Sequence, residues 1–518
     1  MSEQVTNNKR IAKNAMALYF RMIVTLLIGL FTARIVLNAL GVVDYGIYNV
    51  VGGFVAMFSL VSSSLVSSVG RSLTFELGTG NKEKLKRTFS TSVLVLIGMS
   101  VILVVLLEGI GIWYLNNKMV IPVERLSAAH WCFQLSIVTF ILGLVNTPYS
   151  ASIISHERMD IYAYFTILDS VFKLIICYAI VHSPIDRLVM YASLLCFINV
   201  VNQIIYVVFC KRHFEECRFK WIFDRKLFRE MFSFAGWNFI GCSAAVLRTQ
   251  GATLLLNWAG GPAVNAANGI ANRICDIVNG FVTNFTQAFN PQITKRYAAA
   301  EYESLMKLLI YGSKYSYYLL FLLALPIMFN AHFILKLWLG IVPDYTVAFV
   351  RLIIIFMLAE AVSRPIITAK NATGRIRNYQ IIVGGILLLM LPLSYIGFKL
   401  GMSVEVVPFC NALTAVLAVF ARMYMLRGDF PEWSSRLFIN KVLINVIIVS
   451  LVASILPLVS YIYIESEWLN FIVTSFLCVI CTSLSILYIG CEKQERETIL
   501  VKSKKVFRNI SAKIFRKQ

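Results

Sequence analysis

Apolar runs of about twenty residues, separated by short polar breaks, recur along the whole 518-residue chain. Runs of that length are transmembrane helices. A membrane barrel would instead need segments of about ten residues with strict alternation, and none is seen. The pattern therefore predicts an all-α polytopic membrane protein. Fourteen spans can be read, at approximately 15–39, 45–69, 89–114, 128–153, 160–182, 187–210, 231–258, 263–289, 309–331, 345–369, 379–400, 404–426, 438–463 and 468–490. Several exceed the minimum of about twenty residues, which leaves room for tilt. Gly260, Gly261 and Pro262 mark a tight turn between the seventh and eighth.

The eighth span departs from the pattern. Advancing about 100° per residue gathers Asn265, Asn268, Asn272, Asp276, Asn279, Thr283 and Gln287 into one stripe, with Arg273 at its edge. The remaining surface is apolar: Ile270, Ile274, Val278, Phe281 and Val282. Lipid cannot solvate such a stripe, so it faces either a polar cavity or a hydrogen-bonded seam with another helix. Seven polar positions are many for a dry seam and favour the cavity. The first span shows a weaker polar face, with Asn14, Arg21, Thr25 and Thr32.

Composition agrees with the membrane reading: 58% of residues are hydrophobic and 14% charged, against about 25% charged in globular proteins. The net charge of +21 matters through its location. Of 48 Lys and Arg, 35 fall in the compartment holding both termini and the loops after even-numbered spans; five fall in the other, and eight lie inside spans. Positive-inside bias then puts both termini in the cytoplasm. The basic 211–230 segment and the 491–518 tail read as surfaces for anionic lipid, not nucleic acid. The polar N-terminus lacks the short apolar region and small-residue cleavage site of a secretory signal. Eleven cysteines lie mostly in apolar runs, and the Cys478/Cys481 pair has no polar ligand beside it, so no zinc site or disulfide framework is expected. There is no phosphate-binding Walker loop. No loop is long enough to house a catalytic domain.

Residues 34–49 and 253–268 align at an offset of 219: Leu37 with Leu256, Asn38 with Asn257, Gly41 with Gly260, and Asn49 with Asn268. Both windows fall at the turn between the first two helices of a six-helix set. Six is even, so the repeat is parallel, as in transporters whose substrate site lies between two lobes. The expected organisation is an N-lobe at 1–210, a basic linker at 211–230, a C-lobe at 231–427, two further helices at 428–490 and a basic tail at 491–518.

Charges inside spans are costly, about 2.5–3.5 kcal/mol each on insertion scales. Asp169 with Lys173, and Glu360 with Arg364, are spaced to pair along one helix face. Arg34, Lys314 and Arg351 can reach a span end, and Glu108 is ambiguous. Arg21, Arg248 and Arg273 remain as candidates to bind an anionic headgroup, with Asn268, Asn272 and Asn279 beside them. Guanidinium groups match phosphate oxygens bidentately. Asp276, then Asp169 and Glu360, are the carboxylates able to take a coupling ion.

The stretch "TARIVLNALGVVDYGIYNVVGGFVAMFSL" carries Arg34, Leu37, Leu40, Gly41, Tyr45, Gly46, Ile47 and Tyr48 in the pattern R-x-x-L-x-x-L-G-x-x-x-Y-G-I-Y. With "FNPQITKRYA" further on, it resembles the bacterial polysaccharide flippases (O-antigen, capsule and exopolysaccharide translocases) of the multidrug/oligosaccharidyl-lipid/polysaccharide, or MOP, exporter superfamily. That resemblance implies two six-helix bundles around a central cavity, two peripheral C-terminal helices, and a bacterial inner-membrane location. It implies transport, not catalysis, with an undecaprenyl-diphosphate-linked oligosaccharide moved to the outer leaflet by alternating access. It implies no cofactor, with energy from an H⁺ or Na⁺ gradient or the membrane potential. Polysaccharide polymerases and glycosyltransferases become expected partners. Related lipid II flippases use arginines of the first and eighth helices, on which Arg21 and Arg273 lie here. The rivals are a cation-coupled drug antiporter of the same superfamily and a membrane enzyme of polysaccharide assembly.

Overall fold

The computed structural model describes residues 2–117, 119, 121–181, 186–340, 342–493 and 495–497, without the side chains of 2–12, 30, 33, 34, 37, 42, 43, 49, 56 and 262. The expectations for the Arg34 side chain and for most of the basic tail, 498–518, lie outside this set. The described residues form helices and no strands. Eleven are long and apolar enough to cross a membrane, or twelve if the bent pair Asp44–Val55 and Ser59–Thr79 counts as one span. The chain is a multi-pass membrane protein.

Fourteen spans were expected, and the two outside this count are 15–39 and 263–289. Both are helical, inside Ser2–Met57 and Arg225–Ala298. The polar stripe itself dilutes the hydropathy of 263–289. The expected second span is not straight either: it bends by 52° between Val55 and Ser59.

The two long helices share a backbone feature. Ser2–Met57 breaks at Gly41, with φ 77° and ψ 169°; Arg225–Ala298 breaks at Gly261, with φ 71° and ψ −170°. This region of backbone space is essentially reserved for glycine. The matching breaks fall at corresponding places in the two halves of the repeat. They also correct its register by one residue, since Gly41 corresponds to Gly261 and not to Gly260.

Contacts divide the chain into two compact units. The first comprises Met1–Val246, Asn284–Leu305 and Thr368–Gly384; the second comprises Leu247–Thr283, Met306–Ile367 and Gly385–Gln518. The first unit packs around Phe89, Leu96, Tyr149 and Ile153 in one cluster and Phe133, Leu107 and Val51 in another. At one end Arg125 clamps two carboxylates, Asp44 and Asp186, at 2.5 Å each. The 211–230 segment proves less solvated than its charge suggests. Phe214, Glu216 and Cys217 are buried, and His156 stacks on Phe214 while pairing with Glu216 at 2.5 Å. Burial works against ionisation of Glu216, but the His156 hydrogen bond, a backbone hydrogen bond and the nearby charges of His156 and Lys86 together outweigh it and hold the carboxyl below its usual range.

The second unit packs around Phe349, Leu335, Ile354, Ala271 and Val282. The two C-terminal helices, Asn445–Tyr463 and Glu467–Ser485, join it through helix Tyr302–Leu339. Tyr318 donates to Asn445, and buried Lys314 faces Glu495 at 3.8 Å.

Candidate functional site

The eighth-span segment is amphipathic in a clear sense. Val264, Ala267, Ala271, Cys275, Val278 and Val282 belong to the core of the second unit. Arg273, Asp276 and Thr283 are exposed, and Asn268, Asn272 and Asn279 are half-buried. The polar stripe thus lies outside the apolar core of this unit. Arg273 and Asp276 make no ion pair with each other, and neither has a side-chain hydrogen bond to a described residue. Asn272 bonds back to Asn268, through the carbonyl at 2.8 Å and the side chain at 3.2 Å.

One part of the stripe is claimed by an arginine from another helix. Arg364, on helix Thr346–Thr373, donates to Asn279 Oδ1 at 2.5 Å and Thr283 Oγ1 at 2.9 Å. The sequence spacing suggested that Arg364 pairs with Glu360, and it does not. Glu360 instead accepts from Arg422 at 2.7 and 3.4 Å. Residues four apart on a helix share a face only while their side chains follow the axis. Here each is drawn to a different neighbouring helix.

Arg422 lies within helix Val406–Met425, is 3% exposed, and is the charge the sequence reading overlooked. Its place close to the end of the predicted 404–426 span disguised it as a loop cation. Arg248 completes the group. It donates to Asn411 at 2.9 Å and lies over the Phe356 ring at 4.6 Å. Both Arg248 and Arg364 lie within the field of Glu360. Within this unit Arg422 thus pairs with Glu360, while Arg248 and Arg364 lie within electrostatic range of the same carboxylate and bond to neighbouring amides and a hydroxyl. Such a group carries more positive than negative charge, which suits an anion.

The other sequence candidates fall in the first unit. Arg21 donates to Asn284 at 2.8 Å and stacks 5.1 Å over Tyr162. Asp169 pairs with Lys173 at 2.8 Å, as its spacing predicted, and also accepts from Asn202 at 2.7 Å. Of the three carboxylates considered for ion coupling, Asp169 and Glu360 already have cationic partners. Asp276 alone has none among the described residues.

A family model described as "Polysaccharide biosynthesis protein" matches residues 11–297. No curated protein matches the chain. Among solved structures, an outward-facing multidrug resistance MATE family transporter of the MOP superfamily aligns with TM-score 0.69 and 14% identity, over 81% of this chain and 95% of that one. A Vibrio cholerae MATE transporter aligns with TM-score 0.66 and 15% identity, over 82% and 98%. A MOP superfamily transporter from Pyrococcus furiosus aligns with TM-score 0.64 and 13% identity, over 81% and 95%; its description says that the reverse polarity of its binding pocket suggests a different function. At these identities the likeness is one of fold.

Proposed function

The chain belongs to the polysaccharide biosynthesis protein family, and from that premise we propose that it is a flippase for lipid-linked oligosaccharide. Its substrate is an undecaprenyl-diphosphate-linked repeat unit of O-antigen, capsule or exopolysaccharide. It moves that substrate from the inner to the outer leaflet of the bacterial cytoplasmic membrane by alternating access, with both termini cytoplasmic. The observation that carries this reading is the group Arg248, Arg364 and Arg422 around a single Glu360, beside the accessible stripe of the eighth span. A diphosphate brings negative charge and planar sets of acceptor oxygens, which arginines match. Arg273 extends the set of cations within this unit, and Asn268, Asn272 and Asn279 supply amides for phosphate or sugar oxygens; Arg21, in the first unit, is a separate candidate cation.

Transport needs an energy source. Asp276 is the carboxylate best placed to exchange H⁺ or Na⁺, because it is exposed and has no cationic partner among the described residues.

The drug antiporter is the second reading, favoured by the names of the structural neighbours. The arginine excess argues against it, since a cationic drug would meet like charge. Proteoliposomes separate the two. A fluorescent short-chain polyprenyl-diphosphate disaccharide should become accessible in the opposite leaflet faster than in empty vesicles. Ion-driven uptake of ethidium with no movement of the disaccharide would favour the antiporter.

A further inference from the structure

We propose that Arg71, Glu157 and Lys295 form a latch that keeps one end of the first unit closed, and that this end is the cytoplasmic one. The idea rests on the transport reading above, and three independent contacts support it. All of them join residues far apart in sequence, and all lie inside the first unit.

The first is a helix-end capture. The last carbonyls of helix Thr346–Thr373 lack intrahelical i+4 partners and carry the negative end of the helix dipole, although that of Asn371 also accepts from Gly374 N at 3.1 Å. Arg71 Nε donates to the Asn371 carbonyl at 2.9 Å, and Arg71 Nη2 to the Ala372 carbonyl at 3.0 Å. The guanidinium carbon lies over the rings of Phe75 and Phe234, 5.4 Å from each centroid. Gly374 follows with φ +73°, and a Cβ there would come within 2.5 Å of Arg71 Nη2. The glycine thus both turns the chain and leaves space for the arginine.

The second is a close backbone approach. A Cβ on Gly78 would lie 2.7 Å from Lys295 Cα and 2.9 Å from Ala298 Cβ. The third is an ion pair. Glu157, 5% exposed and at a left-handed φ of 59°, accepts from Lys295 Nζ at 2.9 Å and from Gln292 at 3.1 Å. The turn before helix Met159–Val181 aims this carboxylate inward, away from water.

The Arg71 capture lines a cavity of about 280 Å³, together with Ser67, Thr74, Gln287, Asn290 and Asn371; Thr294, the neighbour of Lys295, lies in the same wall. It lies where helix Ser59–Thr79 runs into the basic segment Lys82, Lys84 and Lys86, which positive-inside bias assigns to the cytoplasm. A substrate entering from the inner leaflet would need this end to open. Ion pairs and carbonyl caps suit that task because water can replace them when they part, whereas an apolar seam of equal area would expose itself at full cost.

The test is access to the cavity. Ser67→Cys places a thiol on its wall, and a membrane-impermeant maleimide is applied to inside-out and right-side-out vesicles, with modification at position 67 read by mass spectrometry. In inside-out vesicles, Glu157→Gln and Arg71→Ala should each raise the labelling rate about ten-fold, the scale expected for losing one charged hydrogen-bond set. Exchanging the charges, Glu157→Lys with Lys295→Glu, should return the rate toward that of the parent. Lys295→Arg, which keeps the charge facing Glu157, should hold labelling near the parent rate, whereas Lys295→Met should raise it. These two variants leave Glu157 in place, so they stand even if the Glu157 variants fold poorly. Unchanged labelling in both latch variants, or an equal rise from both sides, would overturn the latch. None of these readouts uses a transported substrate, so a negative result here leaves the flippase reading to its own assay.

Discussion

Arg364 donates to Asn279 at 2.5 Å and to Thr283 at 2.9 Å, tying helix Thr346–Thr373 to the polar face of the eighth-span segment. Hydrogen bonds to charged groups contribute about 1.5–3 kcal/mol. Arg364→Ala should therefore cut transport of the diphosphate-linked substrate by about 10- to 100-fold while the protein still folds. Arg364→Lys, which keeps the charge but loses the planar fork, should recover only part. Initial rates in the leaflet-accessibility assay check both, and equal rates for the alanine variant and the parent would remove Arg364 from the site.

The Glu360–Arg422 pair is a stability element. Removing one member of a buried pair leaves the other uncompensated and costs about 3–5 kcal/mol; Glu360 is partly exposed, so the lower end applies. Glu360→Gln should lower the thermal midpoint in detergent. Adding Arg422→Met should restore most of the loss, because the stranded charge is gone. A midpoint unaffected by Glu360→Gln would show that water, not Glu360, balances Arg422.

The glycine breaks predict a matched pair of effects. No atom lies within 4 Å of a Cβ built on Gly41 or Gly261, so alanine would meet backbone strain and no crowding. Each substitution should cost about 1–3 kcal/mol. Similar losses of thermal stability at both sites would agree with the repeat; a loss at one alone would not.

Asp276→Asn removes the one candidate coupling carboxylate that lacks a cationic partner among the described residues. Transport driven by an imposed H⁺ or Na⁺ gradient should become independent of that gradient, with basal exchange preserved. Undiminished gradient dependence would exclude Asp276.

The Asp44–Arg125–Asp186 clamp makes stability sensitive to acid. Burial raises the Asp186 pKa, but its hydrogen bond from Arg125 and bonds from backbone amides outweigh that and hold it below the usual range. A depressed carboxyl contributes stability that is complete above its unfolded value, about 3.9, and is lost as pH falls through the lower folded value. Thermal midpoints measured from pH 6 to pH 3 should fall at the acid end in the parent. They should fall less steeply in Asp186→Asn, which begins less stable.

How much of this was legible in the sequence follows from the range of each interaction. The stripe of the eighth span was legible because 100° periodicity is local, and the structure leaves that face outside the core of its unit. The Asp169–Lys173 pair was legible for the same reason. The helix break at the seventh–eighth junction was visible in the Gly260–Gly261–Pro262 turn, although the repeat register slipped by one residue. Arg364 was misassigned because its partners lie 81 and 85 residues away, while Glu360 stood four residues off and offered a nearer match. Arg422 was missed because hydropathy windows treat a charge near a span end as interfacial. The latch could not be read at all: Arg71 meets its carbonyls across 300 residues, and Glu157 meets Lys295 across 138.

The central claim is that the chain carries lipid-linked glycan across the membrane. Its most direct test is deletion of the gene in its own host, scoring surface polysaccharide and the lipid-linked pool together. The account predicts loss of surface glycan, accumulation of the undecaprenyl-diphosphate-linked repeat unit in the inner leaflet, and rescue by the parent gene but not by its Arg364→Ala variant. Unchanged surface glycan with an unchanged lipid-linked pool would contradict it.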